Sequence, residues 1–213
     1  MRAAPAIRSP PKGEVVSDNP IKLAVIIGSV RGGRFGTTVA DWFAGQARSH
    51  GGVTVDVVDL LDFPLPLRLP AFGEDADPAT EETRERLAAR LATADAFAVV
   101  TPEYNHTFPA SLKNAIDWFL EEWQAKPVGL VSYGGMSGGL RASEHLRQVF
   151  AEVHAMTVRE MVSFHNAWAD FSEDGRPVSP AGGEEAAKAL LDQLVWWADA
   201  LREARARRPY ASQ

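Results

Sequence analysis

Three short stretches of this 213-residue chain hold the residue types that could grip and orient a small molecule. The first is Gly28-Ser29-Val30-Arg31-Gly32-Gly33-Arg34-Phe35-Gly36, with Thr37 and Thr38 opening a helix. Glycines let backbone amides turn inward, and a helix N-terminus adds the positive end of its dipole. Ser29, Thr37 and Thr38 add hydroxyls, while Arg31 and Arg34 add charge and forked hydrogen bonds. Such a loop suits a terminal phosphate. It lacks the Gly-Lys-Ser/Thr ending of a triphosphate loop and the spacing G-x-G-x-x-G, so a tight turn with solvated arginines is its other reading. The second stretch, Thr101-Pro102-Glu103-Tyr104-Asn105-His106-Thr107-Phe108-Pro109, sets turn-forming, aromatic and amide groups at the end of an apolar run. Its backbone amides could bond the polar edge of a flat heterocycle beside Tyr104; an ordinary proline-shaped turn is the alternative. The third, Ser132-Tyr133-Gly134-Gly135-Met136-Ser137-Gly138-Gly139, is rich in glycine, which permits close approach of a backbone or a planar ring.

The third stretch also contains Gly135-Met136-Ser137-Gly138-Gly139, a formal match to the G-x-S-x-G turn of serine hydrolases. There the chain order is Ser, acid, His. Only Glu144, Glu152 and Glu160 precede the last histidine, His165, as acid partners, and Glu144 and His145 are neighbours on a helix that point apart. A Ser137 hydrolase is therefore the weakest of the enzymatic readings. The five histidines lack ligand spacing, so no metal site is expected; His106 alone borders one of the loops.

The elements that must carry these loops alternate. Apolar runs at 21–27, 53–58, 96–100, 128–131 and near Thr157–Phe164 read as strands. Between them lie helical stripes: Val39, Ala40, Phe43, Ala44 and Ala47; a charged helix over 79–94 with Leu87 and Leu91; and Leu112, Ala115, Ile116, Phe119, Leu120 and Trp123. Leu146, Val149, Phe150 and Val153 mark a fourth helix, and Leu190, Leu191, Leu194, Trp197 and Leu201 a last one. This is an α/β chain whose five-stranded parallel sheet, covered on both faces as a three-layer sandwich, takes the flavodoxin-like order 2-1-3-4-5. Ligands bind such sheets where the strand order reverses, at the C-terminal ends of the first and third strands.

Composition narrows the classes further. At 46% hydrophobic and 23% charged residues the chain reads as one globular domain, spanning 20–207, with tails at 1–19 and 208–213. No cysteine is present, which removes disulfides, thiol nucleophiles and thiol redox relays. A net charge of -6 argues against nucleic-acid partners. The absence of a long apolar run or a signal-like N-terminus points to a cytoplasmic protein with no membrane span.

Taken together, Gly28-Ser29-Val30-Arg31, Thr101-Pro102-Glu103-Tyr104-Asn105, Leu112-Lys113-Asn114-Ala115-Ile116-Asp117-Trp118 and Ser132-Tyr133-Gly134-Gly135 resemble the NADPH-dependent FMN reductase family, from about Ile21 to Phe164. Departures are Ala110 after Pro109, often Gly in the family, and the Arg34-x-Gly36 ending of the first loop, where other branches carry Ser and Asn. The resemblance implies that Ser29, Arg31 and Arg34 hold the FMN phosphate with amides around Phe35, Gly36 and Thr37. Pro102, Glu103, Tyr104 and Asn105 then frame the isoalloxazine ring, with Ser132, Tyr133, Gly134 and Gly135 near its pyrimidine edge or ribityl chain. It further implies hydride transfer from NADPH or NADH to FMN and on to a small acceptor, such as a quinone, flavin, azo dye or metal oxyanion. No catalytic side chain is needed, because the flavin supplies the chemistry. A flavodoxin-type FMN electron carrier is the alternative, although carriers are usually acidic around the flavin and the first loop here is basic. The family also implies a homodimer, with a tetramer as the larger option. Trp118, off the apolar stripe of its helix, fits either a partner surface or a helix buried on two sides.

Overall fold

The computed structural model describes residues 19–71 and 73–210; residues 1–18 of the expected N-terminal tail and 211–213 of the C-terminal one lie outside them. Five strands, β1 (Ile21–Ile27), β2 (Val53–Asp59), β3 (Ala96–Pro102), β4 (Pro127–Gly134) and β5 (Met156–His165), pair only in parallel, in the order β2-β1-β3-β4-β5. Six helices accompany them: α1 (Gly36–His50), α2 (Pro78–Thr93), α3 (Ala110–Asp117), α4 (Leu140–Glu152), the short α5 (Ala167–Asp170) and α6 (Pro180–Arg207). The flavodoxin-like architecture expected from the apolar runs is thus present, with its switch point between β1 and β3.

Burial explains why those runs were legible. Every residue of β3 and β4 is buried, whereas β2, at the sheet edge, alternates between half-buried and exposed positions over 53–57 before the buried Val58. One core lies under α1 and α6, around Phe43, Leu190 and Leu194. The other lies under α2, α3 and α4, where Trp123 meets Phe97 and Phe150 edge-on at centroid distances of 4.7 and 5.6 Å. Asp77 caps α2 by accepting from the Ala79 and Thr80 amides, and Pro78 fills its first turn.

Two expectations are corrected. The stripe Leu112–Trp123 is not one helix: α3 stops at Asp117, and the chain continues in tight turns with Phe119 N–H on Ile116 O (3.3 Å) and Trp123 N–H on Leu120 O (3.2 Å). A straight helix would carry Trp123 about 9 Å beyond Asp117. The turns instead fold it back onto Phe97 and Phe150, and Leu120 is left exposed. Trp197, expected on the core stripe of α6, is 37% exposed and stands edge-on to Trp196. That part of α6 lies against β5, the outer strand, with no further strand to cover it. Trp118 is half-buried, and its indole N–H donates to Pro66 O (3.0 Å), so its second side is covered by this chain's own 63–70 segment. Past α6, the Tyr210 hydroxyl meets His154 Nδ1 at 2.7 Å.

The contact between α6 and β4 is close enough to test. A Cβ on Gly129 would lie 2.8 Å from Cδ1 of both Leu190 and Leu194, which are buried. Gly129→Ala is expected to cost about 1–3 kcal/mol through overpacking. Gly45→Ala, in the α1 interior where a Cβ meets open space, is expected to add about 0.5–1 kcal/mol. Urea unfolding midpoints of the two variants, moving in opposite directions, check both.

Candidate functional site

The three loops meet at the C-terminal edge of the sheet. Gly28 N–H donates to Val100 O (2.9 Å), which ties the start of the first loop to β3, and the Ser111 hydroxyl donates to Gly28 O (2.6 Å), which ties it to α3. Ser29 is fully buried, and its hydroxyl lies 2.8 Å from the Tyr104 hydroxyl of the second loop. It also bonds the Tyr133 hydroxyl at the start of the third loop. One serine therefore joins all three loops. Burial above all, and then the neighbouring Tyr104, push the Tyr133 phenol above its ordinary value, so it stays a neutral hydrogen-bonding group at any physiological pH.

Beyond Ser29 the first loop turns back, with Arg34 N–H on Arg31 O (3.1 Å) and Gly33 in the left-handed region (φ 64°). It delivers α1 at Gly36. This helix begins with no side-chain cap and no acidic residue in its first turn, so its leading amides and dipole are uncompensated by the chain itself. Arg31 is exposed and forms no ion pair among the described residues. Arg34 pairs through Nη2 with Asp59 at the end of β2, while its Nη1 is buried without a partner. A buried guanidinium nitrogen left open beside an uncapped helix is what an anion's oxygens would satisfy. The residues present therefore fit a phosphate group.

The second loop owes its shape to an unusual turn. Tyr104 and Thr107 exchange two backbone hydrogen bonds (2.8 and 3.1 Å), and Asn105 and His106 both take positive φ (49° and 73°). Positive φ at both central positions is the geometry that Asn-Gly serves most easily. Here a histidine occupies the second place, and the turn folds the Tyr104 side chain back toward Ser29. Thr107 is held in turn by His145 of α4, whose Nδ1 lies 3.0 Å from its hydroxyl.

In the third loop the hydroxyls serve the loop itself. Ser132, fully buried, donates to Gly138 O (2.8 Å), and Ser163 of β5 donates to the same oxygen (2.9 Å). Gly139 (φ 85°) allows this fold-back, since a Cβ there would lie 2.6 Å from the Ser132 Cβ. What remains accessible is backbone at Gly135, just past the buried Gly134, bordered by the exposed Trp168 ring, 3.8 Å from where a Gly135 Cβ would stand. Ser137 has no histidine partner: it bonds the Glu103 carboxylate, while His165 Nδ1 lies 2.8 Å from Met136 O. The geometry of a hydrolase triad is absent.

Ser29, Tyr104, Gly36 and Tyr133 thus gather at one point, with Arg31, Arg34, Phe35 and Thr37 on the first loop above β1 and Pro102, Glu103 and Asn105 on the second. Asp59, Arg141 and Trp168 join the site without having been singled out in the sequence. Their types gave no signal: each lies in an unremarkable segment and matters only through long-range contacts.

Two results follow for experiment. A Cβ on Gly36 would stand 2.7 Å from the buried Tyr133 hydroxyl. Gly36→Ala is expected to cost about 1–3 kcal/mol and Tyr133→Phe in that background to restore part of it, read by thermal unfolding. Burial raises the Glu103 pKa, but the bonds from Ser137 and Arg141 outweigh it and leave the carboxyl below its ordinary value of 4.5. A depressed carboxylate contributes stability above its unfolded pKa that is lost as pH falls through the folded one. The advantage of the wild-type chain over Glu103→Gln should therefore be full at neutral pH and shrink below about pH 4.5, in urea titrations across that range.

With this geometry in view, comparison with known proteins is decisive on family. Residues 21–169 match the NADPH-dependent FMN reductase family model. An NAD(P)H-dependent FMN reductase of Schizosaccharomyces pombe is 41% identical over 127 residues, which span 58% of this chain and 62% of that relative's length. A probable NADPH:quinone oxidoreductase of Oryza sativa is 32% identical over 182 residues, 82% of this chain and 88% of the relative. Among solved structures, the flavoenzyme NAD(P)H:acceptor oxidoreductase FerB of Paracoccus denitrificans superposes with a TM-score of 0.62 at 25% identity, covering 84% of this chain and 98% of that one. The chain belongs to the NADPH-dependent FMN reductase family.

Proposed function

We propose that this chain holds FMN across the three loops and passes hydride from NADPH or NADH to a small acceptor, with quinones the leading class. The observation that carries this reading is the α1 N-terminus: uncapped, free of acidic residues in its first turn, and flanked by Arg31 and by the buried, unpartnered Nη1 of Arg34. The named activities of the yeast and rice relatives support it.

When bound, FMN supplies the two-electron chemistry itself. The chain's part is to bind and orient. Amides of Gly36 and Thr37 and the Arg31 guanidinium meet the phosphate dianion, with Arg34 steadied for the same task by Asp59. Ser29, which holds Tyr104 and Tyr133 together, sets the distance between the phosphate loop and the two ring loops. Pro102, Tyr104 and Asn105 of the second loop, with the Gly134–Gly135 backbone of the third, would hold the ring. A cleft of about 320 Å³ opens beside the first loop, lined by Val30, Leu60, Leu61, Phe63 and Leu67 with Asn114, and gives an apolar acceptor a wall to lie against. No proton-transferring side chain is required of the site, which agrees with the absence of a triad and of cysteine.

The same reading extends to a homodimer in the cytoplasm. Among the described residues no helix is long and apolar enough to cross a membrane. The exposed Leu61, Leu67, Leu69 and Leu120 support a second copy as the neighbour of the α3 side. Light scattering on the purified chain gives its mass in solution.

The test begins with the absorbance spectrum of the protein saturated with FMN, before and after anaerobic NADPH. Bleaching of the bound flavin band near ~450 nm is the expected outcome. Binding without bleaching by either nicotinamide would make the chain an electron carrier, and no binding would overturn the flavoprotein reading. Arg31→Ala should weaken FMN by about tenfold, one charge-assisted contact, with the thermal midpoint of the flavin-free protein unchanged.

A further inference from the structure

The Glu103 side chain is only 7% exposed, yet it carries a carboxylate at the sheet edge. It accepts from the backbone N–H of Arg141 (3.2 Å), from Arg141 Nη1 (2.7 Å) and from the Ser137 hydroxyl. Its own backbone N–H donates to Tyr133 O (3.1 Å), so the residue is stitched to the third loop through both main chain and side chain. Helix α4, which follows that loop, starts from Gly139 in the left-handed conformation with no side-chain cap and no acid in its first turn. Glu103 supplies the missing cap from another loop, and the α4 dipole and Arg141 together compensate its charge.

We propose that Glu103 and Arg141 form a positioning pair that holds the third loop against the second and sets the electrostatic balance beside the bound flavin. The proposal rests on the FMN reading above. Glu103 is then a clamp rather than a side-chain ligand of the ring, and Arg141 is a residue of the site that its sequence context did not mark. The two charges cancel as a pair. Removing Arg141 leaves a buried, uncompensated carboxylate, and removing Glu103 leaves an uncompensated guanidinium. Reduction adds negative charge to the flavin, so the reduced form feels these two losses with opposite sign. A clamp with no electrostatic role would disturb the loop in the same direction whichever partner is lost.

The experiment uses the full chain with E103Q, R141Q, the double variant E103Q/R141Q and R141K. Amide hydrogen exchange over residues 135–141 is measured without flavin, and the midpoint potential of bound FMN is measured by equilibration with a reference dye. Both single variants should lose exchange protection in this loop, and R141K should retain part of it. E103Q should raise the potential and R141Q lower it, with the double variant near wild type. At an effective dielectric of about 20, a unit charge acting over about 12 Å is worth about tenfold in an equilibrium, which sets the scale expected for each single change. Potential shifts of the same sign in both single variants, or unchanged exchange in both, overturn the proposal. If wild type binds no FMN while exchange responds as expected, the functional reading and the electrostatic role fall and the clamp itself stands.

Discussion

A parallel sheet that sends the chains leaving β1 and β3 to opposite faces must leave a gap between them at its C-terminal edge. Everything else in this molecule depends on that gap. α1 descends on one side and α3 on the other, so the first loop has no neighbouring crossover to pack against. It is held instead by small polar contacts: Gly28 on Val100 O, Ser111 on Gly28 O, and the Ser29 hydroxyl on Tyr104 and Tyr133. These contacts draw three loops to one point, and they explain why a fully buried serine sits where the chain leaves β1.

How the polar groups are distributed decides what the gap can bind. The hydroxyls of Ser29 and Ser137 are used between loops and that of Ser132 within the third, and the Glu103 carboxylate is closed off by Arg141. Among the described residues the leading amides of α1 stay uncapped, Arg31 stays exposed, and one nitrogen of Arg34 is buried without a partner. The chain as a whole is acidic at -6, yet the open groups at this edge are donors and cations. That local inversion favours an anion at the α1 N-terminus against the field of the rest of the surface.

The fold could be read from the chain because its central strands are buried on both faces, which forces unbroken apolar runs such as Leu23–Ile27 and Ala96–Val100. The position of the first loop was legible as well, since a glycine-rich stretch between an apolar run and a helical stripe marks where β1 ends and α1 begins. The early end of α3 was not, because Trp123 keeps helical spacing by coincidence while turns fold it onto Phe97. Nor were the Arg34–Asp59 and Glu103–Arg141 pairs, since a charged side chain in a sequence carries no mark of its partner across 25 or 38 residues. The Asn105-His106 turn was hidden too, because histidine rarely signals positive φ.

The same polar distribution bears on the choice between a reductase and a carrier. A carrier hands single electrons to a protein and gains from acidic groups around its flavin that repel other anions. A reductase must admit a nicotinamide nucleotide, which itself carries phosphates. At this edge the buried acid nearest the ring loops, Glu103, is compensated by Arg141, and Asp59 is compensated by Arg34, so neither projects its charge into the gap. Arg31 remains exposed and uncommitted among the described residues. An edge at which Glu103 and Asp59 are each compensated while Arg31 stays free favours phosphate-bearing molecules, which is the electrostatics that the proposed reductase needs and a carrier does not.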